Sequence, residues 1–152
     1  MTTRILALSA VLASTLVLPA RSADPDAPTS TAMRGDASLI VQITGLEDLE
    51  GELLIGLYNS EAGFESENDL VGRTVPVDAR TESVTFRGIP AGDYAIKVFH
   101  DEDSDGKLDT TFGIPSEPYG FSNNASDPFS APEWEETKFR VEGTTSHAID
   151  LG

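Results

Sequence analysis

From Ser38 onward apolar and polar positions alternate in short runs, each closed by turn residues. Leu39, Val41 and Ile43 alternate with Ile40 and Gln42. Glu52–Tyr58 is apolar on both faces, as in a central strand. Thr74–Val77 is weaker, and Pro76 places it at a sheet edge. Val84 and Phe86 share a face in 83–86. In 93–100 Tyr94, Ile96 and Val98 oppose Ala95, Lys97 and Phe99. Phe139 and Val141 share a face in 138–141, and Ile149 and Leu151 in 147–151. Seven strands with turn signals between them predict an all-β fold, a single seven-stranded β-sandwich over 38–152. No segment offers an amphipathic helix of three turns, and no repeat is visible.

Two interruptions refine the pattern. Ile89-Pro90-Ala91-Gly92 joins two strands: Pro90 fixes one φ angle, and Gly92 is expected to supply the positive φ of a type II turn. This connection resembles the G-[LI]-P-x-G-x-Y segment of transthyretin-like and carboxypeptidase regulatory domains. The resemblance bears on architecture and not on activity. The second interruption runs from Thr110 to Glu136, without strand period and with four prolines. It holds Phe112, Tyr119, Phe121, Phe129 and Trp134, five of the eleven aromatics. Rings that dense pack against something, so one long ordered loop is expected.

The N-terminal pattern is different. Arg4 precedes an apolar run from Ile5 to Leu18, and Pro19, Ala20, Ser22 and Ala23 follow as small residues. The run is shorter than the roughly 20 apolar residues of a membrane span. Residues 1–23 read as a signal peptide, cut after Ala20, Ser22 or Ala23, and no membrane span is expected afterwards. The expected location is periplasmic or secreted. Residues 24–37, rich in Pro, Ser, Thr, Asp and Ala, read as a flexible linker. No cysteine exists, so disulfides and cysteine lipidation are excluded.

Charge sharpens the picture. The chain has 26 acids and 10 bases, a net of −16. Residues 1–23 hold two of the bases and no acid, so the remainder carries −18. Such a surface repels nucleic acid and anionic lipid and attracts cations.

The acids cluster in one place. Residues 101–109, DEDSDGKLD, read D-x-D-x-D-G-x-x-D. In EF-hand calcium loops, positions 1, 3, 5 and 9 and the carbonyl of 7 surround the ion, with Gly at 6 for the turn. Asp101, Asp103, Asp105, Asp109 and the Lys107 carbonyl fit those places, with Gly106 at the turn. Position 12 is Phe112 rather than Glu, and a strand precedes the loop rather than a helix. Dockerin and thrombospondin-type repeats resemble this loop and lack the flanking helices. Glu117, Asp127 or water is left to complete the shell. Calcium is the cofactor expected, since hard carboxylate oxygens suit it and magnesium keeps more of its water.

Other chemistry is weakly supported. His100 reads as a hydrogen-bonded histidine at a strand end or a ligand near Asp101, and His147 as a structural residue. Cys-His catalysis is impossible, and neither a nucleophile elbow nor a phosphate loop is present. Tyr119, Phe121 and Trp134, with Asn123 and Asn124, are candidates for a ligand loop.

Residues 100–109 followed by 112–124, FGIPSEPYGFSNN, resemble the bacterial DUF2141 family, as do the strand around Gly56-Leu57-Tyr58 and the Gly-Asp-Tyr-Ala-Ile start of another. The resemblance spans about 38–151 and implies an envelope location and a β-sandwich, but no reaction. Pro118 departs from the family, which is expected to have a smaller residue or glycine there. Three readings follow: a non-enzymatic calcium-binding module with an envelope partner or ligand; a carbohydrate- or peptide-binding module using 112–134; and a transthyretin-like hydrolase. The last needs a C-terminal Tyr-Arg-Gly-Ser constellation. Ile149-Asp150-Leu151-Gly152 does not supply it.

Overall fold

A computed structural model describes residues 35–127 and 130–152. The expected signal peptide, residues 24–34 of the expected linker, and Phe129 lie outside them. The fold is mostly β. In chain order it runs β1 (Ala37–Thr44), β2 (Glu52–Tyr58), α1 (Glu61–Glu65), β3 (Val71–Pro76), β4 (Glu82–Ile89) and β5 (Gly92–Asp101). It continues β6 (Thr110–Thr111), β7 (Ile114–Pro115), β8 (Tyr119–Phe121), a 3-10 turn (Ser122–Asn124), α2 (Trp134–Thr137), β9 (Phe139–Val141) and β10 (Thr144–Asp150).

The seven-stranded expectation is therefore corrected to ten strands in three sheets among the described residues. All seven predicted strands form. The additional three, β6, β7 and β8, lie inside the span that showed no period. They are two or three residues long, too short for an alternation to register, and exist because partners hold them. Tyr119–Phe121 pairs with Lys97–Phe99 of β5, and Thr110–Thr111 pairs with Ile114–Pro115.

One sheet has the order β10-β1-β4, with β10 parallel to β1 and β4 antiparallel. The second has the order β3-β2-β5-β8, with β9 also on β5. One core joins the two. Leu39, Val41 and Ile43 of β1 meet Leu53, Ile55 and Leu57 of β2 and Tyr94, Ile96 and Val98 of β5, all essentially buried. Each such side chain contributes about 1.5–3 kcal/mol by leaving water.

The strand connection at Pro90 departs from expectation. Gly92 has no positive φ and opens β5; Gly88 has it, at φ 70°. Ala37 pairs with Ile89 while Ser38 pairs with Arg87, so Gly88 is the extra residue of a β-bulge. A left-handed glycine is what such a bulge needs. The Tyr94 hydroxyl donates to the Pro90 carbonyl at 2.8 Å and pins the connection.

A second, smaller cluster covers the outer face of the larger sheet: Tyr58, Phe64, Ala95, Phe121 and Trp134. Phe64 stands at its centre, with ring centroids 5.5 Å from Tyr58, 6.0 Å from Trp134 and 6.4 Å from Phe121. Two short helices deliver Phe64 and Trp134. Ser60 caps α1 by accepting the Gly63 N–H at 3.2 Å, and Glu136 accepts the Glu133 N–H at 3.0 Å at the start of α2. The long loop is thus tied down by aromatic packing on both sides of residues 128–129.

Candidate metal centre

β5 ends at Asp101, whose side chain is buried, and the chain turns at once into the acidic loop. Three of its carboxylates accept from backbone further on. Asp101 Oδ1 takes the Asp105 N–H at 3.1 Å and Oδ2 the Gly106 N–H at 2.7 Å. Asp103 Oδ1 also takes the Asp105 N–H, at 3.2 Å, and Asp105 Oδ1 takes the Lys107 N–H at 2.8 Å. The chain can coil this tightly because Ser104 and Gly106 adopt φ 60° and 81°. A side chain at Gly106 would meet nothing within 4 Å, so glycine is required there by φ and not by space.

This winding brings Asp101, Asp103 and Asp105 together: one carboxylate oxygen from each lies within 4.8 Å of the others. Three hard oxygens at that spacing could hold a divalent cation. Asp109 is outside that group of three but close enough for its charge to act on Asp103. The Asp103 carboxyl is held above its ordinary range, first by partial desolvation among its neighbours, then by the charges of Asp105, Asp109 and Asp101, with the Asp105 N–H opposing. Lys107 Nζ lies 3.6 Å from Asp105 Oδ2.

Of the two groups left to complete the shell, Glu117 reaches the loop. It is buried, and both of its oxygens accept backbone N–H groups, Glu102 on Oε1 and Asp109 on Oε2, each at 2.9 Å. It fastens the two ends of the loop to each other. The Ser116 N–H donates to the Asp109 carbonyl and the His100 N–H to the Pro118 carbonyl, which hold Glu117 in place. Asp127 accepts from the Ser130 N–H instead. His100 faces the core; its Nε2 lies 2.7 Å from the Glu50 carbonyl, which can only accept, so Nε2 carries the proton. Its Nδ1 is buried with no hydrogen-bond partner.

The candidate ligand loop divides. Phe121 and Trp134 are buried in the small cluster. The Asn123 side chain donates to the carbonyls of Glu136 and Lys138, and its N–H donates to His147 Nε2 at 2.9 Å. Asn124 Oδ1 accepts the Asp150 N–H. Both asparagines have positive φ, a conformation their short side chains tolerate. Tyr119 alone of the named rings is exposed, at 45%. Phe112 caps the β6–β7 turn beside Gly113, fully exposed, at φ 53°.

Tyr119 belongs to a feature the sequence reading missed. A groove of about 700 Å³ crosses the outer face of the larger sheet. One cross-strand row forms part of its floor: Thr74 opposite Leu54, Leu54 opposite Phe99, Phe99 opposite Tyr119. Leu108, Ile114 and Pro115, the stretch leaving the acidic loop, line it too. Rows across strands couple residues distant in sequence, so no local pattern announces them.

A mostly β protein whose central strand runs into a coiled acidic loop is the class these features define. A family model described as "Uncharacterized protein conserved in bacteria (DUF2141)" matches residues 41–149, and the chain belongs to that family. No curated protein and no solved structure matches the chain. No helix among the described residues is long and apolar enough to cross a membrane.

Proposed function

We propose that this protein is an exported, non-enzymatic, transthyretin-like β-sandwich module whose 101–109 loop binds calcium. The observation behind the proposal is the approach of Asp101, Asp103 and Asp105 oxygens to within 4.8 Å in a loop wound by its own backbone donors. Asp109 and the Lys107 carbonyl complete the protein's share of the shell, and water fills the remainder of calcium's about six to eight places. Glu117 acts on the loop and not on the ion: it holds the two ends at a fixed separation, so that binding does not have to order them.

The role is structural or one of binding in the cell envelope. Calcium neutralises carboxylates that repel each other and fixes the loop from which the β6–β7 hairpin projects. Residues 1–23 act as the signal peptide, and the −18 charge of the remainder suits a calcium-containing exterior. Titration calorimetry on the protein lacking residues 1–23 tests the binding. One calcium per chain is expected, with magnesium weaker. No heat of binding, or binding unchanged in Asp101→Asn, contradicts the proposal.

A further inference from the structure

We propose that the groove on the outer face of the larger sheet is a peptide-binding site, taking a short extended segment with apolar side chains beside basic ones. Its size falls within the roughly 300–1,000 Å³ of ligand sites.

The floor is built low. Gly56 and Gly72 lie directly opposite each other on β2 and β3, one row along from Leu54 and Thr74. Neither has a positive φ, so the backbone does not demand glycine. A Cβ at Gly72 would come within 2.8 Å of the Asp69 carboxylate, and one at Gly56 within 2.9 Å of the Tyr58 hydroxyl oxygen. Glycine inside a strand weakens it, and marks places where another backbone comes close. Here the pair makes room for the Asp69 carboxylate and the Tyr58 ring, which edge the floor.

Length and shape suit a peptide. The row Thr74, Leu54, Phe99, Tyr119 crosses four strands, about 14 Å, or roughly four residues of extended chain. Leu54 and Phe99 are half-buried, and Ile114 and Tyr119 are 69% and 45% exposed, so apolar surface waits on floor and wall.

Charge selects the ligand's sign. Of the two cations lining the groove, Lys97 is drawn aside: Nζ donates to the Phe64 carbonyl at 2.8 Å and sits 4.4 Å from the Phe64 ring centroid. Arg73 stands on the core side of β3, with its guanidinium 5.9 Å from the centroid of the Phe86 ring. Glu67 is paired with Lys97 at 3.6 Å, and Asp69 has no salt bridge among the described residues. Asp69 is therefore the rim acid left to meet a basic side chain beside the apolar floor. The Tyr58 hydroxyl responds to the same field: its pKa is pushed up to about 12, by burial first and then by Asp69 and Glu67.

The test is calorimetry in calcium-containing buffer at about 0.15 M salt, which screens diffuse attraction to the acidic surface. The probes are a blocked Leu-Lys-Leu-Lys-Leu peptide, its counterpart with Glu for Lys, and a xylohexaose. The lysine peptide should bind one to one, about tenfold or more tighter than the glutamate peptide, and the saccharide should not bind. Asp69→Asn removes the charge of the exposed rim acid, and Ile114→Lys places a cation on an exposed wall position. Each should weaken the lysine peptide about tenfold with the melting temperature unchanged. Equal binding of both peptides, no effect of either substitution, or binding of the saccharide alone overturns the inference. Loss of calcium binding by itself leaves it standing, because Leu54, Phe99, Tyr119 and Asp69 are not part of the loop.

Discussion

Glu117 holds Asp109 by its backbone: Oε2 accepts the Asp109 N–H at 2.9 Å, while Oε1 takes the Glu102 N–H at the same distance. One buried side chain thus closes a loop whose own residues repel each other. Hydrogen bonds to a charged group contribute about 1.5–3 kcal/mol, and a buried donor left unsatisfied costs about 1–3 kcal/mol. Glu117→Ala should lower stability by about 2–4 kcal/mol on that scale, read by urea denaturation. Glu117→Gln should retain part of the loss, since its single carbonyl oxygen still accepts. A silent Glu117→Ala contradicts the role.

Gly88 and Gly92 should respond oppositely to alanine. Gly88 sits at φ 70° in the bulge, where a side chain costs about 1–2 kcal/mol. Gly92 has no positive φ, and a Cβ there meets only the Tyr94 ring at 3.6 Å, an ordinary contact. Gly88→Ala should therefore lower the urea midpoint, and Gly92→Ala should leave it or raise it slightly. The reverse order would restore the turn expected from sequence.

That contrast shows what the sequence makes legible. Alternation along Leu39–Ile43 and Tyr94–Val98 is strong because one face is wholly buried. The acidic loop is legible because its groups fall within nine consecutive residues. Which glycine takes the left-handed conformation depends on the register of β4 against β1, which no local pattern records. The parallel pairing of β10 with β1 is hidden for the same reason. The expectation that the aromatic run packs holds for Phe121 and Trp134, which meet Phe64, and not for the exposed Phe112 and Tyr119; partners distant in sequence decide which rings stay outside.

His147 gives the fold a pH dependence. It stacks on Phe139 with ring centroids 4.0 Å apart, and Nε2 accepts the Asn123 N–H, so the fold needs the neutral ring. Burial lowers its pKa below the ordinary 6.5. The unfolded chain therefore takes up the proton first. Stability is full above pH about 6.5 and falls as pH drops below that value toward the folded-state pKa. His147→Gln, which keeps an acceptor, should remove the part of the slope that sets in as pH falls below about 6.5. Denaturant midpoints across that range check it; identical slopes contradict it.

Trp134 anchors the loop beyond the acidic turn. It is 8% exposed and packs on Phe64. Trp134→Ala should cost about 3–5 kcal/mol and speed proteolysis between 110 and 136. A variant with unchanged stability and cleavage rate would mean that the cluster does not hold the loop.

The most direct test of the central claim is the melting temperature in millimolar calcium against chelator. Calcium modules outside the cell bind with Kd of about 10⁻⁴–10⁻³ M, so at about 1 mM free calcium mass action adds about 0.4–1.4 kcal/mol. That is a rise of a few degrees for a domain of this size. Asp103→Asn should abolish the rise. Without calcium the same variant should melt no lower than the parent, because the Asp103 carboxyl is held above its ordinary range and its charge is unfavourable in the empty loop. Asp36→Ala, remote from the loop in sequence, should keep the full response. Superimposable curves with calcium and with chelator, for the parent protein, would contradict the account.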